Sequence, residues 1–407
     1  MGNLSQDSRC PDQYSNQFCY LKMGAELLPT VVALVSALLS IPVCYGYTLL
    51  CESLSQVEML AVAGAIMTAV VAISAFLTKG KVKNKMYYGF SLFTFTAVID
   101  IIGGLEADGI VHGFMTTYLK HGEPYLLSAW GAVACYWDGT VFLTCYIIMV
   151  YLSSNGRSYR TLGLHWSSSI LNSMVVLLLG ACLSESGPGW CTILNTPYVL
   201  FPLAVAVQCL AETPSHQPQT NGKPSWLDKA LVVLLIESSL AALLKGLATC
   251  GSKLYIPNWY RTVAEPILEE QKPAPFAAIQ GLVTLFYFLP GYLAVAWGLM
   301  TNPGQRWLQD LAVILAGASF NAGGSTVATV FHGLTKPEHR LPSTVNHSAY
   351  WAFWGVNTLL SIVPQIVAVR LMWLPVHVSH QVKNGKQKTN RKGQEKQKKN
   401  PRKLKEN

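Results

Sequence analysis

The sequence predicts an all-α, polytopic membrane protein of about ten transmembrane helices. Three observations carry that prediction. Of its 407 residues 51% are hydrophobic and only 13% are charged, against about a quarter charged in soluble domains. The mean hydropathy is +0.31. The apolar residues are gathered into long blocks, each near the length of about 20 helical residues that crosses a ~30 Å hydrocarbon core. The blocks lack the period-two alternation of barrel strands, which sets a β-barrel aside.

Residues 1–26 carry Asp7, Asp12 and Glu26 against Arg9 and Lys22, without the charged-then-apolar pattern of a cleavable leader, and read as a cytosolic segment. Two apolar spans follow, 27–49 and 57–77. The third, 87–105, holds Asp100 deep inside, and the fourth, 125–152, holds Trp137 and Asp138 at mid-span. The fifth is 162–183; the sixth, 195–211, is short and carries Pro197 and Pro202. The seventh, 227–249, contains Glu237 and Lys245, and the eighth is 276–300. The ninth, 308–332, is weak because Ser319–Thr326 is small and polar. The tenth, 349–374, has Asn357 near its centre. The sixth and ninth are open to a re-entrant reading, so the range is nine to ten.

The loops orient these spans. With ten of them, Lys79, Lys81, Lys83, Lys85, Arg157, Arg160, Arg306 and the basic tail all fall on one side. The positive-inside rule makes that side the cytosol, with both termini on it. The opposite loops carry Glu106, Asp108, Glu123, Glu185, Glu265, Glu269 and Glu270, and this agreement favours ten spans over nine. The whole net charge of +9 resides in 383–407. It therefore implies no nucleic-acid groove in the body, and suits a solvated tail near anionic headgroups. Lys403 and Lys405 near the end resemble a dibasic retrieval signal for the endoplasmic reticulum.

Several chemistries find no motif. There is no CxxC pair or zinc spacing among ten cysteines, no HExxH, no nucleophile motif and no glycine-rich phosphate loop. Glu106, Asp108, His112, His121 and Glu123 share one loop, but without metal-ligand spacing. Neither a metal nor a cofactor is expected.

An internal repeat is visible. Asn195-Thr-Pro-Tyr-Val-Leu-Phe-Pro202 parallels Asn357-Thr-Leu-Leu-Ser-Ile-Val-Pro364, and Gly122-Glu-Pro-Tyr-Leu126 parallels Ala264-Glu-Pro-Ile-Leu268. Fifteen residues after each Glu stand Asp138 and Gln280. Spans three to six and seven to ten thus read as a duplicated bundle. Ionisable and amide groups within the spans are functional candidates, since burying their charge in lipid is costly. They are Asp100, Asp138, Glu237, Lys245 and Asn357. Glu237 and Lys245 lie eight residues apart, about 12 Å along a helix, too far to pair directly, and Lys245 is long enough to run to the interface.

Asp100-Ile-Ile-Gly-Gly-Leu-Glu-Ala-Asp-Gly-Ile110, Gly113-Phe-Met115, the Gly122 block and Cys135-Tyr-Trp-Asp-Gly-Thr140 together resemble the Transmembrane 6 superfamily. That resemblance implies two tandem four-helix EXPERA bundles, at 85–212 and 227–374, preceded by two helices at 27–77 and followed by a basic disordered cytosolic tail at 375–407. It further implies lipid handling in an intracellular membrane: triglyceride, cholesterol and lipoprotein lipid loading in the endoplasmic reticulum, or alternatively a lysosomal membrane. The related emopamil-binding-protein sterol isomerases use a His and two Glu, with an Asn and a Trp on the last helix. Asn357 matches that Asn, Leu360 stands where the Trp should, and Asp138 matches one Glu. Glu106 stands for the other Glu, with Ile102 in place of the His. In the first repeat Asn195 keeps the Asn position, with Tyr198 three residues on. Without the His and Trp, the proton shuttle and cation–π partner are gone.

The leading expectation is therefore a non-catalytic membrane protein that binds sterol or another lipid through Asp138, Asn357, Asp100, Trp137 and Asn195. The alternative is a sterol double-bond isomerase-like enzyme in which Asp138 and Glu106 exchange the proton. A transporter relying on Glu237 or Lys245 is third. Expected partners are membrane lipid or sterol and the bilayer itself; homo-oligomers or protein partners are left open.

Overall fold

A computed structural model describes the backbone over residues 12–213, 224–341 and 347–398, and side chains within 26–372 of these. Among the described residues ten helices are long and apolar enough to cross a bilayer. They are α1 (Glu26–Cys51), α2 (Gln56–Leu77), α3 (Met86–Ala107), α4 (Ala129–Ser154), α5 (Arg160–Leu183), α6 (Trp190–Ala211), α7 (Trp226–Thr249), α8 (Phe276–Thr301), α9 (Arg306–Phe331) and α10 (His347–Met372). No strand occurs among the described residues. Lys403 and Lys405 lie outside them.

Local chemistry sets several boundaries. Ser55 and Glu58 form a reciprocal capping box at the start of α2, and Ser225 with Asp228 does the same for α7. Each pair satisfies two backbone donors that the first turn leaves open. α4 and α8 each contain one wide turn, in which the amides of Leu143 and Leu289 donate to Asp138 and Thr284 five residues back. The last helix continues beyond the span, from His347 to Lys398. The backbone of the tail expected to be disordered is thus helical that far, in keeping with its many Lys, Gln and Arg, all good helix formers.

α5 and α9 form the centre, each about 67% buried along its apolar window. This explains the weak hydropathy of α9. Ser319, Asn321, Ala322 and Gly323 face protein, so they need not be apolar. α3, α4 and α6 pack around one side of this centre, with α1 against α3; α7, α8 and α10 pack around the other. α2 is peripheral, with only Met59 and Ser74 buried. The aromatic rings of Phe90, Phe93, Trp166 and Phe201 meet edge to face at 5.1–6.1 Å in the first group. Across the seam between the groups, Trp130 stacks on Phe276 at 4.3 Å. Asn172 Nδ2 donates there to Gln280 Oε1 at 3.0 Å and to Asn321 Oδ1 at 2.9 Å. At one end of the seam the Arg160 guanidinium meets Asp310 at 2.7 Å.

Candidate functional site

A cavity of about 180 Å³ opens within the first helix group. Its walls are mostly apolar and include Ile99 and Leu177, with Cys44 and Tyr47 from α1 and Ala63, Ile66 and Met67 from α2. α5 contributes Ser173 to the lining. The remaining polar groups come mainly from four places: α3 supplies Thr96 and Asp100, the wide turn of α4 supplies Asp138, the α3–α4 loop supplies Tyr118 and Glu123, and α6 supplies Asn195 and Tyr198.

These groups form two clusters. In the first, Tyr146 donates to Asp138 Oδ1 at 2.7 Å, while Asp138 Oδ2 is buried and finds no donor. Tyr198 donates to Thr96 at 2.7 Å and lies 3.3 Å from Asp100 Oδ2. Asp100 and Asp138 thus line the same cavity, each held by a tyrosine hydroxyl. In the second cluster the Glu123 carboxyl accepts from Tyr118 at 2.7 Å, from Asn195 Nδ2 at 2.6 Å, and from Tyr125. Burial pushes the Glu123 carboxyl above the usual carboxylate range, while the hydrogen bonds from Tyr125, Tyr118 and Asn195 pull it back.

The chain delivers Glu123 to this place by a distinctive turn. Its amide donates five residues back to Tyr118 O at 3.0 Å, its backbone sits at φ −136°, ψ 72°, and Pro124 then opens a tight turn. The second helix group repeats this geometry. Glu265 donates to Tyr260 O at 2.7 Å, has φ −136° and ψ 67°, and is followed by Pro266. Its carboxyl accepts from the Tyr260 hydroxyl at 2.6 Å and is reached by Asn357 Nδ2 at 3.4 Å. Here the resemblance between the groups stops. Lys245 Nζ lies 2.8 Å from Glu265 Oε1 and 3.0 Å from Asn357 Oδ1, and the remaining void is about 10 Å³.

A family model for the transmembrane domain of proteins like Transmembrane 6 superfamily member 2 matches residues 39–221, the stretch that supplies the cavity walls. Proteins named Transmembrane 6 superfamily member 2 align along most of the chain. The one from Mus musculus is 33% identical over 346 residues, 81% of this chain and 89% of the relative. The one from Homo sapiens is 30% identical over 366 residues, 86% and 94% of the two chains.

The chain belongs to the Transmembrane 6 superfamily.

No solved structure matches it. In this Transmembrane 6 superfamily chain, Asp100, Asp138 and Asn195 share one cavity. Asn357 does not face a comparable space: its amide is spent on Lys245, Glu265 and Phe353 O. Trp137 turns away, packing on Phe320 at 5.2 Å and over Gly324 of α9, because successive helical residues point about 100° apart. Lys245 does not run to the interface as expected; it turns inward, 2% exposed, to the loop carboxylate of Glu265. Glu237 lies on the outer face of α7.

Glu106 also stands apart from the cavity. It accepts from the amides of Gly113, Phe114 and Met115 at 3.2, 3.0 and 2.7 Å, and from the Thr116 hydroxyl. It anchors the loop, and the geometry puts Asp100, not Glu106, in the cavity with Asp138. Replacing Glu106 by Ala is expected to cost about 2–3 kcal/mol, since buried amides lose a charged acceptor. Hydrogen exchange at residues 113–115 should accelerate in that variant, and unchanged exchange there would refute the anchoring role. The sequence marked Glu123 and Tyr198 only as members of a loop and a repeat, and gave no sign of Tyr118, Tyr125 and Gly103 as site residues. The doubled Glu-Pro motif was the available signal, legible as a repeat but not as a site.

Proposed function

We propose that the first helix group is a lipid-binding site and that this protein is a non-catalytic lipid binder of an intracellular membrane, acting in cellular lipid handling. In this reading the two helix groups are tandem EXPERA bundles and the membrane is that of the endoplasmic reticulum. The observation that carries it is the cavity lined by Asp138, whose Oδ2 is buried and lacks a donor. Small-ligand sites characteristically combine apolar walls with a few convergent polar groups. At about 180 Å³ the cavity exceeds the ~150 Å³ void that admits benzene. It thus takes the head and first ring of a sterol or similar amphiphile, with the head at the Asp100–Asp138 pair or Asn195.

Gly103 supplies the test. It lines the cavity, and a Cβ built there meets only Cys135 Sγ, at 3.7 Å. Gly103→Leu should therefore fill the space without disturbing the backbone. A photoreactive sterol is expected to label peptides of α1–α6 in the wild type and to lose about tenfold of that labelling in Gly103→Leu, the equivalent of about 1.4 kcal/mol. Equal labelling in both would sink the proposal.

The placement of two acids, Asp100 and Asp138, in one cavity favours one second reading, a proton-transfer enzyme acting on a sterol double bond. Incubation of purified protein with a Δ8 sterol decides it. Conversion that Asp138→Asn abolishes would replace the binding reading with catalysis.

A further inference from the structure

We propose that both helix groups carry a site for an ammonium head, filled in the second group by the chain's own Lys245 and left open in the first. The lipid held in the first group is accordingly one with a protonated amine. The proposal deepens the lipid-site reading above and rests on it.

The second group displays the recognition directly. Lys245 Nζ sits between Glu265 Oε1 and Asn357 Oδ1 at 2.8 and 3.0 Å, and Tyr260 fixes the other carboxylate oxygen at 2.6 Å. All four residues are at most 3% exposed. The first group carries the same Tyr, Glu and Asn as Tyr118, Glu123 and Asn195, on the same backbone turn. Lys245 precedes Glu265 by 20 residues; the residue 20 before Glu123 is Gly103. Where one group sends in a lysine, the other has no side chain at all, and the space is cavity.

Charge points the same way. Three carboxyl groups line that cavity, of Asp100, Glu123 and Asp138, and no Lys, Arg or His is among its lining residues. The hydroxyls of Tyr118, Tyr125, Tyr146 and Tyr198 are already committed to these carboxyls or to Thr96. Asp138 is 7% exposed and its Oδ2 has no donor. An ammonium brings three donors and no acceptor, whereas a hydroxyl brings an acceptor with its donor. One difference sets the pose: Tyr125 and Asn195 Nδ2 both donate to Glu123 Oε1, the oxygen corresponding to the one Lys245 contacts on Glu265, where Asn357 Nδ2 instead reaches Oε2. The incoming head therefore meets Asn195 Oδ1 and the Asp100–Asp138 pair.

The test compares two photoreactive probes with one diazirine-bearing C12 chain, ending in an amine or an alcohol, on wild-type protein in phosphatidylcholine nanodiscs. The amine is expected to label α1–α6 peptides about tenfold more than the alcohol. Gly103→Lys should abolish amine labelling while keeping the melting temperature. Lys245→Ala should melt lower and regain stability with propylamine but not propanol. Equal or stronger labelling by the alcohol, or equal rescue by propanol, would overturn the ammonium assignment. If the sterol probe labels the cavity and the amine does not, that assignment alone fails; if no probe labels it, the lipid-site reading falls too.

Discussion

Lys245→Ala is expected to destabilise the protein by about 3–5 kcal/mol, because it leaves the Glu265 carboxylate buried without its counter-charge. Both partners are almost fully enclosed, at 2% and 1% exposure, so solvent screening does not soften the loss. The penalty comes from the orphaned charge rather than from a missing attraction. Combining Lys245→Met with Glu265→Gln should therefore recover most of it. The measurement is the melting temperature of the wild type and both variants in one detergent or nanodisc. A double variant no better than Lys245→Ala would show that the pair contributes specific attraction beyond charge balance.

Gly317→Ala is the second large effect. Gly317 lies where α9 crosses α5, and a Cβ there would stand 2.0 Å from His165 O and 2.2 Å from Ser168 Oγ. A backbone oxygen cannot rotate away, so the two central helices must separate. Overpacking of this kind costs about 3 kcal/mol at the upper end of its usual range. The strain falls on the seam that also holds Asn172, Gln280 and Asn321. Gly355→Ala, on a face where an added Cβ meets nothing within 4 Å, serves as the control and should melt like the wild type. Matching behaviour of the two alanine variants would refute close α5–α9 packing.

The membrane architecture was legible because solvent imposes it. Hydrocarbon demands long apolar helices, and their ends fell within a few residues of the expected spans. The ninth helix was faint because Ser319, Asn321 and Gly323 answer to neighbouring helices and not to lipid. The acids at positions 100 and 138 stood out as costly groups, but their meeting in one cavity depends on depth and rotation. Neither is written in an apolar run with little amphipathic pattern. Lys245 was misread for a related reason. Its partner sits in a loop 20 residues on, brought back by the turn at Tyr260–Ala264, and helical spacing says nothing about such a return. Trp137 and Asp138 were both expected at the ligand, although neighbours on a helix face different ways.

The second helix keeps only Met59 and Ser74 buried, yet Ala63, Ile66 and Met67 wall the void. A panel held so lightly is the cheapest one to displace, and behind it lies hydrocarbon rather than water. A guest passing that way would arrive already dissolved in the leaflet. Its occupancy would then track mole fraction in the bilayer, and half-saturation in those units would hold steady as total lipid is diluted tenfold.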